Sequence, residues 1–174
     1  MGNESAIIVP APEVEPVVGP LRLQFDMGAR LGIPAHITLL YPFRSAQAVA
    51  GEIKTLRDVC ASVEVFPFSF IEVRGFPETA YLHPDKSEIF AQITGTLAGT
   101  WPDCKPYNGA FSEIIPHLTV ADHVDRAILT TVEDSVRPHL PIHCVAREVW
   151  LLTSDDSGMW SKKACFPLAA SRTA

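Results

Sequence analysis

Two short segments of this chain carry the same pair of reactive side chains. Pro34-Ala35-His36-Ile37-Thr38 and Pro116-His117-Leu118-Thr119 each place a histidine two residues before a threonine, 81 residues apart. Imidazole titrates near neutral pH, so two histidines meeting at one substrate can divide the roles of general base and general acid. Hydroxyl groups beside them can donate hydrogen bonds to oxygens that gain charge in a transition state. One His-x-Thr carries little weight, since a chain with 6 histidines supplies roughly 0.4 copies by chance. The shared context is more informative. Each copy follows a proline, has an apolar middle residue, and falls in a segment with the alternation of a strand.

Strand alternation decides what such a motif exposes. His36 and Thr38 project from one face, with Ile37 and Leu39 on the other; His117 and Thr119 are likewise set against Leu118 and Val120. The apolar set can pack on a core while His and Thr stay on the open side.

Around the motifs the chain reads as alternating strands and helices. Strands are expected at 5–10, 33–41, 63–73, 79–82, 117–121, 142–153 and 159–168, from Val/Ile/Phe enrichment and flanking Gly and Pro. Helices are expected at about 20–31, where Pro20 suits a first turn, and at 46–61, 84–97 and 124–136. Residues 99–115, rich in Pro and Gly, read as an irregular connection between halves. The lobe 1 motif lies around 33–41 and the lobe 2 motif around 116–121. Both halves run motif strand, helix, then two antiparallel strands, which is a duplicated architecture in a single domain spanning 1–174.

The motifs in full, Pro34-Ala35-His36-Ile37-Thr38-Leu39-Leu40-Tyr41-Pro42-Phe43 and Pro116-His117-Leu118-Thr119-Val120, resemble the paired signatures of the two-histidine phosphoesterase superfamily. That superfamily includes 2′-5′ RNA ligase-like proteins and RNA 2′,3′-cyclic phosphodiesterases. The resemblance implies an α+β fold, bilobal and duplicated, with two antiparallel β-sheets forming a central cleft and helices packed outside. It also implies a metal-independent phosphoesterase acting on a 2′,3′-cyclic phosphate or 2′-5′ phosphodiester of a nucleotide or RNA end, with no cofactor. His36 and His117 would be the acid/base pair, and Thr38 and Thr119 the donors to the phosphoryl oxygens. Which histidine is acid and which is base is open in the sequence.

Four aromatic residues are candidates for substrate binding. Tyr41 and Phe43 adjoin the first motif and could stack a base or line the cleft entrance, although packing at a strand end competes as an explanation. Tyr81 and Trp160 hold corresponding positions in the two halves. Arg44 is a candidate for a terminal phosphate, or simply a solvated charge.

Composition narrows the partners. A net charge of −6 argues against a protein that grips long double-stranded nucleic acid, although a local basic pocket stays possible. With 47% hydrophobic and 20% charged residues the chain suits a globular core. It has no apolar run long enough to span a membrane and no basic n-region at its start, so a cytoplasmic monomer is expected. Cys60, Cys104, Cys144 and Cys165 are scattered and expected to be reduced. Two other functional classes stand beside the hydrolase. One is a non-catalytic module that binds a nucleotide or RNA end; the other is a metal-assisted phosphoesterase using His139 and His143, which Pro138 and Pro141 keep off a common helix face. No Walker-type loop is present for activating ATP.

Overall fold

The computed structural model describes residues 3–171. The fold is α+β, with two four-stranded antiparallel sheets. Its elements run β1 (Ser5–Pro10), α1 (Glu15–Phe25), α2 (Met27–Arg30), β2 (His36–Leu40), α3 (Ile53–Ala61), β3 (Phe66–Phe76), β4 (Thr79–Pro84), α4 (Ser87–Thr100), β5 (Leu118–Ala121), α5 (Arg126–Val136), β6 (Ile142–Ala146), β7 (Glu148–Ser154) and β8 (Trp160–Pro167). Strand order is β2-β1-β7-β8 in one sheet and β5-β4-β3-β6 in the other. The motif-bearing strands β2 and β5 are thus edge strands, and they touch each other.

Chain order and sheet membership differ in a way that alternation alone does not reveal. β3 and β4, which follow the first motif, form the sheet of the second motif; β7 and β8, which follow the second, join the sheet of the first. The strand expected at 142–153 is therefore two strands. Residues 142–146 pair with β3, the chain crosses at Arg147, and 148–154 pair with β1 and β8. Helices cross over too, with α1 packing on β5 and α4 on β2. Each half supplies part of the wall behind the other's motif.

The expected helix at 20–31 forms earlier and stops sooner. It begins at Glu15, with Pro16 in its first turn where a missing N–H costs nothing, and continues through Pro20. Losing the one hydrogen bond that Pro20 cannot make is offset by burial of Val18 and Arg22 on the inner face. Asp26 leaves helical geometry at φ −128° and ψ 115°, and its carboxylate accepts from the Gly28 N–H to cap the separate turn α2. Gly32, at φ +95°, turns the chain toward β2 where a Cβ would lie 2.8 Å from the Trp160 carbonyl oxygen. The second expected helix starts with a 3-10 turn at Val49–Glu52 and becomes α-helical only at Ile53.

One apolar core runs between the sheets and their helices. On β2 it takes Ile37 and Leu39, as alternation requires, and also Leu40, because a register shift opposite Ile7/Ile8 turns two consecutive side chains inward. Phe66, Phe68 and Phe90 pack tilted or edge-to-face in its centre. All four cysteines are free; three are buried and Cys165 is exposed. Among the described residues no helix is long and apolar enough to cross a membrane.

Arg22 ties the two motif strands to one point. The guanidinium is 2% exposed and makes its ion pair with Asp26 at 2.8 Å. Its Nε also donates to the Thr119 carbonyl oxygen (3.1 Å), inside the second motif, and Nη1 donates to the Ile33 carbonyl oxygen (3.3 Å), just before the first. Removing one partner of a buried, hydrogen-bonded pair leaves the other charge uncompensated. Arg22→Ala is therefore expected to lower unfolding free energy by about 3–5 kcal/mol in urea titrations. A loss below about 1 kcal/mol, the scale of a surface pair, would show that Arg22 does not hold the strands together.

Candidate active site

Each motif histidine is oriented by the carbonyl two residues before it. His36 Nδ1 lies 2.7 Å from the Pro34 carbonyl oxygen, and His117 Nδ1 lies 2.6 Å from that of Ile115. A carbonyl only accepts, so Nδ1 must carry the proton in both rings and Nε2 keeps the lone pair when the ring is neutral. His36 Nε2 then accepts from the Thr38 hydroxyl, 3.1 Å away. A residue at the second position back is fixed by local geometry, so the two short motifs create the same tautomer without long-range help.

The four motif side chains line one cavity of about 600 Å³, in the range of small-molecule sites. His117 is close enough to His36 that a charge on it lowers the affinity of His36 for a proton. Burial is the larger influence: it pushes the His36 pKa down to about 4, with the Pro34 carbonyl opposing and the charges of Arg22 and His117 reinforcing. Burial also lowers the His117 pKa, opposed by the Ile115 carbonyl and the Asp122 carboxylate. With both pKa values lowered, the two imidazoles are neutral bases near neutral pH. Of the two, His117 has the carboxylate neighbour that favours its protonated form.

Three aromatic residues complete the walls. Phe76 stacks on Tyr81 with centroids 4.6 Å apart and meets the His117 ring edge-to-face at 5.6 Å. Tyr107 and Phe111, themselves edge-to-face at 5.6 Å, line the same cavity. The Tyr107 hydroxyl is hydrogen-bonded to Thr38, and its backbone N–H donates to the Tyr41 carbonyl oxygen at 2.6 Å. Tyr107 and Asn108 both adopt positive φ, 49° and 55°, in the left-handed region that side chains disfavour. This strained turn brings the Tyr107 ring to the first motif. Asp122 and Glu113 also line the cavity, and the Thr79 hydroxyl donates to Asp122 at 2.5 Å.

The four aromatic candidates read from the sequence lie elsewhere. Phe43 is 6% exposed and packs edge-to-face on Trp101 in the core. Tyr41 and Trp160 meet at 6.1 Å in a smaller apolar cluster with Ile8, and the Tyr41 hydroxyl donates to Glu4. Tyr81 comes nearest: it is buried beneath His117, 5.1 Å between ring centroids, and supports the wall without lining it. Arg44 pairs with Glu52 and Asp103, away from the cavity. His143 hydrogen-bonds Ser69, and among the described residues no group of three or more His, Cys, Asp or Glu is arranged to hold a metal ion. Phe76, Tyr107 and Phe111 went unread because two of them sit in the Pro- and Gly-rich connection and the third beside the Gly75 turn. Only the aromatic residues inside those polar, turn-forming stretches could have signalled them.

Comparison with known proteins bears on the fold and the family. No curated protein matches this chain by sequence. Among solved structures, Escherichia coli LigT complexed with 3′-AMP matches with a TM-score of 0.64 at 14% identity, covering 97% of this chain and 99% of LigT. TT0787 of Thermus thermophilus matches with a TM-score of 0.65 at 16% identity, over 97% of this chain and all (100%) of that one. At such identities the likeness is one of fold. The family model of the 2′-5′ RNA ligase superfamily matches residues 10–158, both motifs included. The chain belongs to the 2′-5′ RNA ligase superfamily of two-histidine phosphoesterases.

Proposed function

We propose that this protein is a metal-independent phosphoesterase that hydrolyses the 2′,3′-cyclic phosphate or 2′-5′ phosphodiester of a nucleotide or RNA end. The observation that carries this reading is the pair of imidazoles, identical in tautomer, lining one cavity with a threonine hydroxyl beside each. In the reaction, His36 Nε2 takes a proton from water as the water oxygen bonds to phosphorus. The phosphorus–ribose oxygen bond breaks, and His117 gives a proton to the departing oxygen. Thr38 and Thr119 donate to the phosphoryl oxygens as their charge grows. Proton exchange with solvent restores both rings.

His117 is the acid because Asp122 favours its protonated form, and His36 is the base because burial holds it neutral. The phosphate anion raises the proton affinity of both rings when it binds between them. LigT in complex with 3′-AMP supports a small ribonucleotide as the ligand class. In this reading the cavity-lining Phe76 and Phe111 stack on its base, and Tyr107 holds Thr38 in line. A second reading, a binding module without turnover, draws on the burial that lowers the pKa of both histidines and so leaves neither with a proton ready to give near neutral pH.

Turnover separates the two. His36→Ala and His117→Ala are each expected to lower kcat/KM for a nucleoside 2′,3′-cyclic phosphate by about 10²–10⁴, with the wild-type rate unchanged in EDTA. A rate equal to wild type in either variant would refute the mechanism, and binding without product in the wild type would establish the module.

The pH profile tests the assignment of roles. The base must be unprotonated, so kcat/KM rises as pH climbs through the His36 pKa near 4; the acid must be protonated, so it falls again through the lowered pKa of His117. The maximum is expected on the acid side of 6.5, the ordinary histidine value. Asp122→Asn, which removes the carboxylate that raises the His117 pKa, should move the falling limb further to low pH. A maximum on the alkaline side, or an unmoved limb in that variant, would contradict the electrostatic basis of the assignment.

A further inference from the structure

A cavity that receives a phosphoryl group would be expected to present basic side chains, as sites for polyphosphates and nucleic-acid backbones do. Among the described residues, no Lys or Arg lines this one. Its two formally charged lining residues are both acidic, Glu113 from the connection before β5 and Asp122 from the residue after it. Arginines in the surrounding structure are already engaged. Arg22 is buried against Asp26, and Arg74, which pairs in register with Tyr81, is held by Glu72. Apart from the proton that His117 carries as the acid, the charged side chains of the lining are both carboxylates.

One phosphodiester anion can be met by the two imidazoles and two hydroxyls of the motifs. For a second phosphate on the same nucleoside the lining offers the side-chain hydroxyls of Thr79 and Tyr107, which are already engaged with Asp122 and Thr38. That phosphate would lie one ribose away, within the Debye length of about 8–10 Å over which salt screens charges weakly, and so would feel both carboxylates. The volume, about 600 Å³, suits a single nucleotide.

Granted the two-histidine reading above, we infer that the substrate is a mononucleoside cyclic phosphate bearing no further phosphate, and that Glu113 and Asp122 enforce this by repelling a second one. A free 5′ hydroxyl beside these carboxylates can donate to them, whereas a 5′ phosphate cannot. The same repulsion disfavours an RNA end, whose next phosphate is equally close. The two acidic residues are specificity-determining and take no part in the proton transfers themselves.

The test compares adenosine 2′,3′-cyclic phosphate with the same compound phosphorylated at its 5′ hydroxyl. Both kcat/KM and equilibrium binding are measured, at low and high salt, in wild type and in a Glu113→Gln/Asp122→Asn double variant. The wild type is expected to prefer the 5′-hydroxyl compound by tenfold or more at low salt, the preference shrinking at high salt and falling to threefold or less in the double variant. Equal values for the two compounds in wild type, or a preference that survives both in high salt and in the double variant, would overturn the inference. Should the double variant fail to fold, the salt dependence of the wild type decides alone. Binding with the stated preference but without turnover would support this selectivity and defeat the hydrolase reading. Binding of neither compound would defeat both.

Discussion

Arg22 is where the two halves of this molecule are held in register. Its guanidinium reaches the backbone on both sides, at Thr119 within one motif and at Ile33 just ahead of the other, while Asp26 neutralises it. A planar fork with five donors on three nitrogens can reach acceptors on different sides of it, a spread that the compact ammonium of a lysine does not match. The buried charge is costly to desolvate, and the fold tolerates it because each nitrogen of the fork meets an acceptor. The consequence is geometric. β2 and β5 are edge strands of separate sheets, and such edges are free to slide past one another. The Arg22 knot, the bond from the Asp122 N–H to the Phe25 carbonyl, and the crossed packing of α1 on β5 and α4 on β2 remove that freedom.

Within that frame the chemistry is local. Each imidazole takes its tautomer from a carbonyl two residues away, so orientation of the reactive nitrogens is built into the motif and its preceding turn. The long-range fold then has only to bring two preset units to one cavity. What differs between them is environment. His36 is the more desolvated, beneath a Thr38 hydroxyl held by Tyr107; His117 has Asp122 for a neighbour. In the proposed reaction this asymmetry is what gives the duplicated motif separate acid and base roles.

Much of this was legible in the residues, and the parts that were not have physical reasons. The alternation around His36-Ile37-Thr38 and His117-Leu118-Thr119 identified which side chains face a cavity, because period-two exposure follows from strand geometry. Alternation is silent about partners, so the exchange of β3 and β4 for β7 and β8 between sheets, and the crossing at Arg147, had no signature. Pro20 argued for a helix start, yet tertiary burial of Val18 and Arg22 carries the helix through it. The role of Arg22 has no local signature, because its burial depends on carbonyls 11 and 97 residues away. The aromatic walls were hidden for a similar reason. Tyr107 and Phe111 lie in a segment whose prolines and glycines describe turns, and only the fold shows that those turns aim inward.

The proposed chemistry requires both motifs to share one phosphate. A crystal structure with a bound nucleoside 2′- or 3′-monophosphate would test this directly. The expected result is a phosphate whose oxygens lie within hydrogen-bond reach, about 2.6–3.2 Å, of Nε2 of both His36 and His117, with the Thr38 and Thr119 hydroxyls on its remaining oxygens. A phosphate bound to one motif alone, or seated outside the cavity, would contradict it.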